Sequence, residues 1–326
     1  MTDSCKLTGL LKDTVYCFVS PDAQVLSVES SPISAGSRAV ELSRHRLKLG
    51  VSSGENEAST GASDSEISLI TKLANYNERS ALSRLYAQGA KVPFSLSNQP
   101  QCEGRSLLCI QDVDDQTDYS RLDIAALEAK EMQALAYIHS KNLGCREEVP
   151  WLPVVDEDQI AVAVGHWWKP AWKAAKSHPD FAGTFGAERL AEIESVAEGI
   201  VSAMVPVIED TATYTMIHND LNPGNVLVHN NEEVYFIDWE EACYGSLFLD
   251  IPMRCSSVRQ AFAYKKYLNN YGLEIPDAKF AELFAVASRY LGLRYMCWNL
   301  GVWEHNERAK ADLCKYMDMV TRPLFS

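Results

Sequence analysis

One stretch constrains this chain more than any other: Ile217 to Asp238, I-H-N-D-L-N-P-G-N-V-L-V-H-N-N-E-E-V-Y-F-I-D. Asp220 lies in a polar loop between an apolar lead-in (Tyr214, Met216, Ile217) and an apolar run (Val226, Leu227, Val228). A carboxylate held by scaffold on both sides is what a general base requires. Val226–His229 and Val234–Ile237 read as short strands, and Asn230-Asn231 between them is a turn signal. With the loop taken as Asn230 to Glu233, His229 pairs with Val234, and counting outward Asn225 pairs with Asp238. A two-residue loop moves the register by two and leaves both on one face. Opposed residues have Cβ atoms roughly 5 Å apart. An amide oxygen and a carboxylate are therefore expected to converge beside Asp220. Such an oxygen set suits Mg²⁺, a hard cation that takes few protein ligands and accompanies phosphates. An ordinary hairpin with polar ends accounts for Asn230-Asn231, but not for four polar residues at these separations.

His218-x-Asp220-x₄-Asn225 followed by Asp238 resembles the catalytic and metal-binding set of eukaryotic-like kinases. The version here, with Phe236-Ile-Asp-Trp-Glu240, is similar to the aminoglycoside phosphotransferase and choline kinase superfamily. Protein kinases commonly carry Arg at the place of Asn219 and a Phe-Gly pair after the metal-binding Asp. No Ala-Pro-Glu close of an activation segment is recognisable in the chain.

The resemblance implies an α+β, bilobal protein-kinase-like fold. A small, mainly antiparallel N-lobe would span 1–110, a hinge 111–116, and a larger helical C-lobe 117–326. Asp220 would be the catalytic base and Asn225 and Asp238 the Mg²⁺ ligands. His218 would brace the loop, and Asp250 would brace it from below, a role compatible with capping the helix that begins at Ile251-Pro252. Lys72, at the end of the Ile67–Leu73 strand, matches the lysine that holds the α/β-phosphates. Glu78, in the helix that starts near Asn77, matches its glutamate partner. Gly36 and Ser37 fall at the tip of a hairpin running from Ile33 to Lys48, where the family covers the phosphates. Gly there permits close backbone approach. Gln111 and Val113 occupy the hinge positions that meet the adenine edge through the backbone.

The remaining pattern fits two lobes. Val15–Val19 is a short β-like run, and Ser106–Ile110 reads as a strand. Leu122–His139 and Glu188–Ile208 have helical periodicity, with His139 at a helix end. The stretch from Val51 to Glu66 is rich in Ser, Gly and Glu, has no periodicity, and receives no function.

Composition limits the partners. A net charge of −14 disfavours nucleic acid and favours cationic substrates. The nine cysteines are odd in number and include no C-x-x-C pair, which points to a reducing cytoplasm without a disulfide framework or zinc site. Neither a signal peptide nor a membrane-spanning run is visible, so no membrane role is expected.

The implied activity is ATP-dependent (or GTP-dependent), Mg²⁺-assisted phosphoryl transfer to a hydroxyl of a small molecule. An aminoglycoside-like antibiotic fits the acidic chain, and such a reaction confers antibiotic resistance. A choline or ethanolamine kinase is the alternative, since a quaternary cation wants aromatic faces. Trp167, Trp168, Trp172, Trp298 and Trp303 could supply these, with Glu240, Glu241 and Glu304 as amine partners. A non-catalytic, nucleotide-binding kinase-like module is the alternative of another class.

Overall fold

The computed structural model describes residues 3–33, 41–51 and 65–325. Gly36 and Ser37, and most of the Val51–Glu66 stretch, lie outside the described residues. In chain order the elements are α1 (Asp3–Phe18), β1 (Ala23–Pro32), β2 (Ser43–Val51), β3 (Ser65–Ala74), α2 (Tyr76–Ala87), β4 (Ser95–Ser97) and β5 (Ser106–Gln111). Then follow α3 (Ile124–Lys141), α4 (Glu157–Val162), a π-helical segment (Ala163–Trp168), α5 (Lys169–Lys176), α6 (Phe181–Phe185) and α7 (Ala187–Glu209). The central stretch contributes β6 (Tyr214–Ile217), β7 (Val226–His229) and β8 (Glu233–Phe236), and β9 (Cys243–Ser246) comes after it. The chain closes with α8 (Ile251–Arg254), α9 (Val258–Asn270), α10 (Asp277–Asn299) and α11 (Glu307–Thr321). The fold class is α+β, as the resemblance implies.

The chain divides into two compact units: Met1–Ala134 with Gly224–Glu241, and Leu135–Pro223 with Ala242–Ser326. The division cuts the Ile217–Asp238 stretch. Asp220 belongs to the helical unit, whereas Asn225 and Asp238 belong to the sheet unit.

The sheet unit is an antiparallel sheet in the order β1-β2-β3-β5-β4. The Val15–Val19 run is not a strand. Val15 to Phe18 form the end of α1, and the Val19 N–H donates to the Val15 carbonyl at 2.9 Å. Its local composition suits either state, and burial decides. Leu10, Leu11 and Val15 share one helical face, which packs on Leu47, Leu49, Leu69 and Cys109.

The β7-β8 hairpin is tied to this unit. The Phe236 N–H donates to the Lys91 carbonyl at 2.9 Å, Thr117 Oγ1 to the Val228 carbonyl at 2.6 Å, and Lys130 Nζ to the Glu232 carbonyl at 2.6 Å. Its register corrects the sequence reading by one residue. His229 pairs with Glu233 and Val226 with Phe236. Continuing outward, the Ile237 N–H donates to the Asn225 carbonyl at 3.0 Å, so Asn225 faces Ile237 rather than Asp238. Two successive left-handed residues, Asn230 (φ 51°) and Asn231 (φ 62°), turn the chain one residue sooner than a four-residue loop. Asn tolerates that conformation better than most residues.

In the helical unit, β6 pairs with β9, and β9 packs against α7. A Cβ at Gly292 of α10 would lie 2.6 Å from the Tyr316 carbonyl oxygen on α11. Glycine is what lets these two helices approach so closely.

Candidate active site

The sheet unit builds a cluster around one ammonium. β3 runs between β2 and β5, with Lys72 opposite Leu108. Asn75 then caps α2 by accepting from the Glu78 N–H at 2.8 Å, which places Glu78 in the first turn. Lys72 Nζ lies 2.6 Å from Glu78 Oε1 and 2.7 Å from Asp238 Oδ1. Burial alone would lower the Lys72 pKa, but Glu78 and Asp238 outweigh it and hold it above the ordinary lysine range. Glu78 is 1% exposed, and among the described residues no group besides Lys72 donates to its oxygens. Burial pushes the Glu78 carboxyl up to about 7, against the pull of Lys72 and with the help of Asp238.

Asp238 follows β8 with φ 64°, a conformation that few residues other than Gly, Asn and Asp adopt. Its side chain is partly exposed and Asn225 is buried. Among the described residues, no group of three or more His, Cys, Asp or Glu side chains could hold a metal ion. The Asn225 amide and the Asp238 carboxylate are hard oxygen donors. They fit a cation that takes most of its ligands from elsewhere, as Mg²⁺ does.

The helical unit builds a brace beneath Asp220. Asp250 Oδ2 accepts from the His218 N–H at 2.7 Å, and Oδ1 from the Asn219 N–H at 2.8 Å. His139 Nε2 lies 3.2 Å from the same Oδ2, and its Nδ1 is 2.6 Å from the Tyr264 hydroxyl. Asp250 is fully buried, which alone would raise its pKa. His139, His218 and the donated hydrogen bonds more than reverse this and hold it below the usual carboxylate value. Asp250 stands at the N-cap position of α8 but makes no capping bond, since its oxygens point to the loop. His218 is fully buried, and the Asp220 N–H faces its Nδ1 at 3.3 Å.

Asn219 is left-handed, with φ 63°. It is gripped by Arg294, whose Nη1 donates to Oδ1 at 2.5 Å, and its Nδ2 donates to Cys243 Sγ at 3.4 Å. The Tyr295 hydroxyl donates to Asp220 Oδ1 at 3.1 Å.

The Gln111 N–H donates to the Phe94 carbonyl at 3.0 Å, and the Val113 carbonyl accepts from His229 Nδ1 at 2.7 Å. Glu240 pairs with Arg105, its carbonyl accepts from Asn75 Nδ2 at 3.1 Å, and Glu241 shares its 3-10 turn. In the helical unit, Trp298 is 61% exposed. Trp303 is buried, with His178, Phe181 and Phe185 packed around it. Glu304 pairs with His178 at 3.3 Å.

Sequence reasoning missed Arg294, Tyr295 and Asp112, and it read His139 only as a helix end. Asp112 binds Arg44 through two hydrogen bonds and Ser68 through one, joining β2 and β3 to the residue after β5. The Asp112-Val-Asp-Asp115 run carried some signal. Arg294 and Tyr295 sit inside an apolar helical pattern that gave none.

Residues 76–283 match the family model APH, described as a phosphotransferase enzyme family. No curated protein matches the chain in sequence. A spectinomycin phosphotransferase solved with ADP and spectinomycin has a similar fold, with TM-score 0.56 and 15% identity over 96% of this chain and 93% of that one. An aminoglycoside phosphotransferase from Alicyclobacillus acidocaldarius gives 0.58 and 13%, over 92% and 90%. A choline/ethanolamine kinase family protein from Mesorhizobium loti gives 0.54 and 13%, over 98% and 96%. These likenesses identify the fold as kinase-like.

Proposed function

The chain belongs to the APH phosphotransferase enzyme family, and from that premise we propose that it moves the γ-phosphoryl group of ATP to a hydroxyl of a small cationic molecule. The observation that carries the reading is the Lys72 ammonium, 2.6 Å from Glu78 and 2.7 Å from Asp238. A lysine held charged by two carboxylates is ready to take phosphate oxygens, and Glu78 keeps it in place when Asp238 turns to another partner.

Asn225 and Asp238 would hold Mg²⁺, which when bound offsets the charge on the transferring phosphate. Asp220 takes the proton of the acceptor hydroxyl. The hydroxyl oxygen forms its bond to the γ-phosphorus as the bond to the bridging oxygen breaks, and ADP leaves. The Asp250 brace keeps the Asp220 backbone in place through this exchange. Catalysis of this kind is mostly positioning and charge neutralisation.

The acceptor class proposed is an aminoglycoside-like or other natural-product antibiotic, so that the reaction confers resistance. The net charge of −14 supports a polycationic acceptor. The exposed indole of Trp298 favours a second reading, a choline- or ethanolamine-type acceptor.

ADP release from Mg-ATP is measured with wild type and Asp220→Asn, using spectinomycin, aminoglycosides, choline and ethanolamine. Acceptor-dependent release should fall at least ~10²-fold in the variant, the scale of a positioned base. A folded Asp220→Asn protein that turns over at the wild-type rate would sink the assignment. Nucleotide binding without release for any acceptor would favour the non-catalytic module.

A further inference from the structure

The Asp250 brace holds the backbone of the Asp220 loop but does not orient the Asp220 carboxylate. It binds the N–H groups of His218 and Asn219, one and two residues before the base. The terminal torsion of an aspartate side chain is broad, so a fixed backbone leaves open which way the oxygens face.

Two consecutive residues of α10 bond to the side chains of this loop. Arg294 meets Asn219 and Tyr295 meets Asp220, so neighbours on the helix receive neighbours on the loop. Arg294 holds Asn219 in its left-handed conformation, one that Asn adopts more readily than most residues. Tyr295 is itself immobilised: 5% exposed, in the body of α10, with its ring 5.8 Å from that of Tyr316 on α11. Burial, with Asp220 and Asp250 adding to it against Arg294, raises the Tyr295 pKa well above the ordinary value, so its hydroxyl stays a donor. Both residues lie beyond the 76–283 segment that matches the family.

We propose that Tyr295 is a positioning residue for phosphoryl transfer: by donating to Oδ1 it sets the orientation in which Asp220 meets the acceptor hydroxyl, while Arg294 sets the loop conformation through Asn219. The proposal rests on Asp220 being the base.

The test is steady-state ADP release from Mg-ATP with spectinomycin, choline or water as acceptor, for wild type, Tyr295→Phe, Asp220→Asn and the double variant. Tyr295→Phe keeps the ring and its packing and removes only the donor. It should lower kcat about tenfold, the scale of a lost hydrogen bond to a charged group, and leave both KM values and the melting temperature nearly unchanged. In the Asp220→Asn background the same change should lower kcat no further, because the tyrosine acts through the carboxylate. A purely structural role would lower stability and add its loss in both backgrounds. Wild-type kcat in Tyr295→Phe, with Asp220→Asn inactive, overturns the proposal and leaves the base assignment standing. Full activity in Asp220→Asn overturns the base assignment and the proposal with it. Should Tyr295→Phe fail to fold, Arg294→Lys probes the same loop through Asn219 and should likewise lower kcat at constant KM.

Discussion

Glu78 and Asp250 are both carboxylates with almost no solvent contact, one in each unit, and their surroundings drive them in opposite directions. Glu78 pairs with the Lys72 ammonium and, among the described residues, accepts no hydrogen bond from a backbone N–H, and its carboxyl rises to about 7. Asp250 accepts two backbone N–H groups, faces His139, and sits below the ordinary aspartate value. Burial is equal, so the difference lies in the donors. A backbone N–H is a fixed, neutral donor that cannot leave, whereas a lysine on a flexible stem can swing to another anion. The arrangement suits the proposed roles. Asp250 holds a loop still, and Glu78 holds a lysine that must exchange partners.

The comparison breaks most visibly at Asp250. Asp250→Ala strands the N–H donors of His218 and Asn219 and the His139 ring, and should cost about 4 kcal/mol of unfolding free energy in urea titration. Lys72→Met should cost less, about 2 kcal/mol, because a Glu78 already raised toward neutrality takes a proton in place of the lost cation. Glu78→Gln should be milder still, below about 1 kcal/mol, since Lys72 keeps Asp238 at 2.7 Å. An equal cost for Lys72→Met and Glu78→Gln would show that the asymmetry is wrong.

Acid sharpens the contrast. The folded pKa of Asp250 is depressed, so its contribution is present above the unfolded value of 3.8 and is lost as pH falls through the folded one. The stability gap between wild type and Asp250→Asn should therefore hold steady down to about pH 4 and close below it. Glu78 is raised, so its contribution is present below 4.5 and is lost as pH rises through about 7. Wild type should accordingly lose stability relative to Glu78→Gln between pH 4.5 and 7, by at most ~1.4 kcal/mol per pH unit. Melting temperatures of the three proteins across pH 3–8 measure both effects. Gaps that moved in the same direction would contradict the opposed environments.

Much of the fold is legible in the sequence because its signals are local. The strand around Lys72, the helix that begins before Glu78 and the long helix α7 follow from apolar spacing. The register of β7 and β8 escaped by one residue because Asn230 and Asn231 both turn left-handed, which an Asn-Asn pair permits without requiring. α1 escaped because its aromatic and β-branched end suits either state until Leu47 and Leu69 bury one face. Trp298 and Trp303 looked alike in sequence, yet one is exposed and the other closed in by the rings of α6 and His178. That distinction belongs to packing between elements distant in the chain.

By itself the sequence determined the order and spacing of His218, Asp220, Asn225 and Asp238, the elements that carry them, and through them the family. Tertiary structure alone decided what these groups are bonded to. His139 meets Asp250 and Tyr264 across separations of 111 and 125 residues, and Tyr295 reaches Asp220 across 75. The charge of a buried carboxylate and the direction its oxygens face depend on such long-range donors, and spacing along a chain does not encode them.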